Sequence, residues 1–202
     1  MAITVDALTK STSATFQHTC SGSDRFLMVA VAYIPPTWQE VVSIKYDGLE
    51  LSLASCMTGD KLALCVGYLV APSAGVHDVE ITMSEPATML CKAASYNGVA
   101  QANPVWKTNN GVGDMVTDIP VNTFMKVDAM TIGVGAVNDV EAGNDKLYGG
   151  QVLVWDDSDA GEGIRMDGIS IIGSEDVDSM PLPNHITKPS CWAVIIVGVL
   201  PA

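Results

Sequence analysis

The chain is short of positive charge. Lys and Arg number 10 against 23 Asp and Glu in 202 residues, a formal net charge of −13 at pH 7. Gripping a phosphate backbone requires Lys and Arg at the contact, and docking on an anionic bilayer requires the same. The deficit argues against nucleic acid and against a membrane surface as partners. Charged residues of both signs reach only 16%, whereas hydrophobic residues reach 48%, a balance that excludes intrinsic disorder. Long apolar runs are missing too. The two longest, 26–34 and 192–200, are roughly half of what a membrane helix needs. The opening Met-Ala-Ile-Thr-Val-Asp has no basic segment, apolar core or small-residue cleavage site of a signal peptide, so synthesis in a cytoplasm without export is the expectation.

Residues that carry chemistry are few and dispersed. Cys20, Cys56, Cys65, Cys91 and Cys191 include no CxxC pair, and there are only 3 His. Metal centres need clustered ligands, so neither a metal nor another cofactor is expected. Cys65, Cys91 and Cys191 lie in apolar runs, where a reduced thiol behaves as a small hydrophobe. His18, His77 and His185 lack a partner motif, and no G-x-S-x-G nucleophile elbow is present; each reads as a surface or loop histidine. Gly133-Val134-Gly135 lies in an apolar run with no helix start after it, which marks close packing or a bulge and not a phosphate loop. No catalytic constellation emerges, and the chain is read as non-enzymatic.

Helical periodicity is also absent over any stretch of useful length. What is present is alternation. Val79, Ile81 and Met83 interleave with Asp78, Glu80 and Thr82, the pattern of a half-buried strand. Phe26 to Ile34 and Cys191 to Leu200 are apolar on both faces and are expected inside sheets. Turn signals such as Asp47-Gly48, Pro72-Ser73-Ala74-Gly75, Asn97-Gly98, Asn109-Asn110-Gly111, Asp156 to Gly163 and Pro181-Leu182-Pro183-Asn184 punctuate the chain. Many short strands at this spacing predict an all-β, two-sheet antiparallel sandwich of the jelly-roll kind. Residues 13–202 are expected to form one domain, with 1–12 as a candidate N-terminal arm.

Four segments carry a resemblance. They are Phe26 to Tyr33 with Val42 to Leu51; Gly67 to Gly75 leading into Val79 to Thr82; Ala94 to Gln101 with Pro104; and Trp192 to Val199 with Pro201-Ala202. Their order resembles a jelly-roll-like β-sandwich module of tailed-phage virion proteins, also found in some bacterial surface proteins. The resemblance implies a capsid decoration, or cement, protein: a homo-oligomer, with a trimer as the guess, that binds the major capsid protein on the outside of the virion. The matching motifs are structural and transfer no catalytic residue, and 139–189 has no match. A tail or surface adhesin or carbohydrate-binding module is the alternative, and a glycan hydrolase ranks behind both.

Three further features bear on function. Asp157, Asp159 and Glu162 open like a calcium loop, but Gly168 stands where the bidentate Glu belongs; they are a weak calcium candidate beside the plainer reading of a solvated acidic loop. Of the 23 acids, 14 (11 Asp and 3 Glu) fall between Asp114 and Asp178, which makes the second half acidic and suits repulsion between misaligned copies or contact with a basic partner. The interface candidates are Ile3, Val5 and Leu8, spaced along the arm so that it could add a strand to a neighbour, and the aromatic anchors Trp38 and Trp106. Trp38, Trp106, Trp155 and Tyr148 would also serve as a sugar platform, but with aromatics at only 6% packing or an interface role is favoured for them.

Overall fold

A computed structural model describes residues 2–35, 40–139, 152–159, 163–174 and 176–202. Within them every regular element is a strand, and all strand-to-strand ladders are antiparallel. The first half of the chain supplies β1 (Thr4–Ser11), β2 (Thr15–Cys20), β3 (Phe26–Ile34), β4 (Val41–Tyr46), β5 (Leu49–Glu50), β6 (Ser52–Thr58), β7 (Ala63–Val70), β8 (Gly75–Met83) and β9 (Thr88–Asn97). The second half supplies β10 (Val105–Met125), β11 (Met130–Val137), β12 (Val152–Asp159), β13 (Ile164–Ile172) and β14 (Val177–Val199).

The all-β antiparallel sandwich expected from the sequence is what the chain forms, with three sheets where two were expected. A central sheet has the order β1-β9-β3-β7-β6, a four-stranded sheet the order β2-β8-β4-β5, and a third sheet the order β10-β14-β11-β13-β12. The reason lies in the central strands. In β3, Phe26, Met28, Ala30 and Ala32 join one apolar cluster with Ile132, Val134, Ile195 and Val197 of the third sheet. Leu27, Val29, Val31 and Tyr33 join another with Ile44, Tyr46, Val79 and Ile81 of the four-stranded sheet. Side chains alternate across a strand, so a strand apolar on both faces requires a covering layer on each side.

The Asp47-Gly48 turn forms as the sequence indicates. Both residues have positive φ, 52° and 72°, as a tight two-residue hairpin between β4 and β5 demands. The segment expected as an arm is the edge strand of the central sheet: β1 pairs along its length with β9, with a bulge between Val5 and Ala7. Two turn signals are overruled. Asn109-Asn110-Gly111 runs inside β10 opposite Ile196, Ile195 and Val194, and Pro181-Leu182-Pro183-Asn184 runs inside β14. The prolines are tolerated because β11 pairs with 192–199 of β14, which leaves 177–189 with β10 alone among the described strands. Proline is accepted where one side of a strand donates no ladder bond.

The β10–β14 ribbon folds back on itself. Ten extended residues span about 33 Å, yet a Cβ placed on Gly111 would stand 2.7 Å from Val121. The bend falls where the register is irregular, between Gly113 and Asp118. Beyond it, Val121 and Phe124 pack on Trp192, Val194, Ile196 and Ile169, covering the outer face of the third sheet.

Cys65 is not the free core thiol expected. It faces Cys56 directly across β6 and β7 and the two form a disulfide. Cys20, Cys91 and Cys191 are buried and form no disulfide.

Candidate functional site

The densest meeting of chemically capable side chains lies at one end of the layer between the central and four-stranded sheets. It is assembled by strand phase. Phe16, His18 and Cys20 alternate with Gln17 and Thr19 along β2, so that His18 and Cys20 point inward. His18 stands opposite His77 in the β2–β8 register. Tyr46 at the end of β4 meets both rings edge-on, at centroid distances of 6.5 Å to His18 and 5.5 Å to His77. From the central sheet come Asp6 and Thr9 of β1 and Ser95 of β9.

These groups bond to one another. Thr9 Oγ1 and His18 Nδ1 are 2.8 Å apart. Asp6 accepts the Ser21 backbone N–H at 2.8 Å, the Ser21 hydroxyl, and the Ser95 hydroxyl at 2.9 Å. The Tyr46 hydroxyl reaches the carbonyl of Gly75 at 3.1 Å, with those of His18 and Ser73 at 3.4 Å. At the rim, His77 Nδ1 is 3.1 Å from the Asp47 carboxylate and its Nε2 is 3.1 Å from the Ala74 carbonyl.

The electrostatics follow from enclosure. His18 is 1% exposed, so burial pushes its pKa down to about 4, against the opposing pull of Asp6. Burial works against ionisation of Asp6 as well, but the hydrogen bonds from Ser21 and Ser95 outweigh it and hold the carboxyl below the usual range. Burial raises the Cys20 thiol and pushes Cys91 up to about 12, which removes the thiolate that reactive cysteines need. The Thr9–His18 pair has the separation of a nucleophile and its base. With His18 enclosed on every side, a substrate has no approach to it, and the seam binds strand to strand.

His18 therefore departs from the surface histidine expected from the sequence. Its signal was present in the phase shared with Phe16 and Cys20. His77 sits half-buried at the start of β8, and His185 lies within β14. Asp157 and Asp159 do not open a turn: they lie on extended backbone in β12, opposite Met166 and Ile164 of β13. A calcium loop has to wrap its ligands around the ion, and an extended strand does not. Glu162 lies outside the described residues. Among the described residues no group of three or more His, Cys, Asp or Glu is placed to hold a metal.

The interface candidates separate. Ile3 is buried in the core against the third sheet and is corrected to a core residue, whereas Val5 and Leu8 on β1 remain 40% and 43% exposed. Trp106 packs partly buried against the outer cluster of the third sheet, edge-on to Phe124 at 5.0 Å. Its Nε1 has no hydrogen-bond partner among the described residues. Trp38 and Tyr148 lie outside the described residues, and Trp155 falls in β12. Beside Trp106 a cleft of about 300 Å³ is lined by Met125, Lys126, Asp176 and Val177, with Lys126 Nζ 5.7 Å from the indole centroid. Set against known proteins, the chain matches no family model, no curated protein and no solved structure.

Proposed function

We propose that the chain is a non-enzymatic structural protein of a tailed-phage virion, a decoration protein that binds the assembled head as a homo-oligomer and stabilises it through the major capsid protein. One observation carries the reading. The central sheet ends in β1, which has a pairing partner on one side only among the described strands, and which exposes Val5 and Leu8. Such an edge offers unpaired N–H and C=O groups together with apolar side chains, the template for strand addition by a neighbour. The resemblance of four segments to a virion module supports it. So does the inward orientation of Asp6, His18, Cys20 and Tyr46, which suits a protein that works by covering surface and not by turnover. A ligand of the assembled lattice stabilises that lattice by mass action.

Co-sedimentation with purified empty capsids tests this. The expected outcome is saturable binding, with added density at symmetry positions. Replacing Leu8→Asp is expected to weaken binding at least tenfold, while the melting temperature stays nearly unchanged because surface substitutions alter stability by about 0.5 kcal/mol or less. Attachment to cells or glycans with none to capsids overturns the proposal. The carbohydrate-binding alternative has one observation in its favour, the Trp106 cleft with Lys126 and Asp176 at its wall, since an indole and flanking polar groups suit a sugar ring. Glycan-array binding abolished by Trp106→Ala would select it.

A further inference from the structure

The structure assigns the seam between β1 and β2 a second role: it is an acid-operated latch, in which protonation of His18 releases the edge strand β1 and uncovers the edge of β9. The geometry leaves the ring no other response. The neutral imidazole has one N–H donor and one acceptor nitrogen, and Thr9 Oγ1 at 2.8 Å serves one of the two, leaving a single uncharged nitrogen unpaired. Nε2 is buried with no partner among the described residues. An imidazolium has two N–H donors, and its second donor would be buried with no acceptor among the described residues. Burying a charge without full hydrogen bonding is strongly unfavourable.

The groups that face His18 offer its second donor no acceptor, although the charge of Asp6 favours the protonated ring. From β1, the two oxygens of Asp6 already take three donors, from Ser21 and Ser95. From β4, the Tyr46 hydroxyl is committed to backbone carbonyls. From β8, His77 is turned to Asp47 and Ala74. From β9, Ser95 is engaged with Asp6 and lies 3.2 Å from the Thr19 carbonyl. On β2 itself, Cys20 is a buried thiol. To reach water the protonated ring has to displace an element, and two edge strands border the seam: β2, whose one ladder to β8 is unbroken, and β1, whose one ladder is not. The ladder of β1, to β9, is interrupted by a bulge, and β1 is tied to this seam through Asp6, Ala7 and Thr9, so β1 is the strand that yields.

The direction with pH follows from linkage. The His18 pKa falls from 6.5 in the open chain to about 4 in the closed one, so the closed state is fully favoured above pH 6.5. Its advantage is lost progressively as pH falls to about 4. Asp6, whose pKa is also lowered when closed, acts only below its ordinary value of 3.8. Between pH 6.5 and 4.5 the latch therefore belongs to His18. The device does not depend on what the chain binds.

Hydrogen exchange read as protection factors, corrected for intrinsic rates, tests the latch on the whole chain. Between pH 7 and pH 4.5 the amides of β1 are expected to lose protection roughly 60-fold, the linkage factor for a histidine whose pKa falls from 6.5 to about 4 on closing. Amides of β3 and of 192–199 are expected to change far less. His18→Asn, which keeps a bonding group near Thr9 without a titrating charge, is expected to abolish the drop. A drop that persists in His18→Asn, a flat profile in the natural chain, or simultaneous loss of protection throughout the molecule overturns the latch. Should the variant fail to fold, the carbon-13 shift of the His18 ring in the natural chain decides it: a midpoint near 4 supports the latch and one near 6.5 overturns it.

Discussion

The two layers that flank the central sheet are built from the same strands and bury different things. Toward the third sheet, the even-numbered residues of β3 meet a largely apolar surface of Leu, Ile, Val, Met and Ala, with Tyr68 and Tyr96 around Phe26 and the buried Lys92 opposite Ala30. Toward the four-stranded sheet, the odd-numbered residues meet an apolar middle that gives way at one end to Asp6, Thr9, His18, Tyr46 and Ser95. Apolar burial is non-directional and grows with area, so the first layer contributes bulk stability with little regard to register. Hydrogen-bonded polar groups are directional, and leaving one unpaired is costly, so the second layer fixes which strand lies where and makes its stability depend on pH.

The comparison can be broken by substitution. Phe26→Ala removes a fully buried ring stacked on Tyr68 at 5.5 Å and is expected to lower stability by about 3–5 kcal/mol in chemical denaturation; a loss below about 1 kcal/mol would mean that the apolar layer is not the main source of stability. Tyr46→Phe keeps the ring and removes the hydroxyl that serves the Gly75 carbonyl. The expected loss is about 1–3 kcal/mol, accompanied by faster amide exchange in β2 and β8 and little change in β11. The smallest effect is reserved for a site outside both layers. Gly48→Ala places a Cβ where nothing lies within 4 Å, on a residue with φ of 72°, so the loss, about 1 kcal/mol, comes from backbone conformation alone. A larger value would show that the β4–β5 turn is coupled to the seam through Asp47 and His77.

Local signals in the sequence carried well where one side chain or one dihedral decided the outcome. Asp47-Gly48 specified its hairpin, the doubly apolar 26–34 specified a central strand, and the strand over residues 191–200 was found although not its continuation upstream. The rest depended on partners far along the chain. Nothing local says that Asn109-Asn110-Gly111 will be extended; the reason is the close approach of Val121 and Trp192 over Gly111. Nothing local distinguishes two sheets from three, because alternation tells which face is apolar and not what covers it. Asp157 and Asp159 looked like a loop by composition and became strand because β13 pairs with them. His18 is legible in phase, alternating with Gln17 and Thr19, but not by motif, because its partners Thr9, Asp6 and Tyr46 come from other strands.

The order of the sheets along the chain has a consequence for synthesis. Residues 4–97 contain every strand of the central and four-stranded sheets, whereas β14, emerging last of all the strands, is the one that both β10 and β11 must pair with. While the ribosome is still working through the second half, the first half can already close on itself, leaving Phe26, Met28, Leu64 and Leu90 without a cover. The nascent chain thus passes through an interval in which one finished face is sticky and its lid does not yet exist, the kind of species that aggregates when crowded and that chaperones hold.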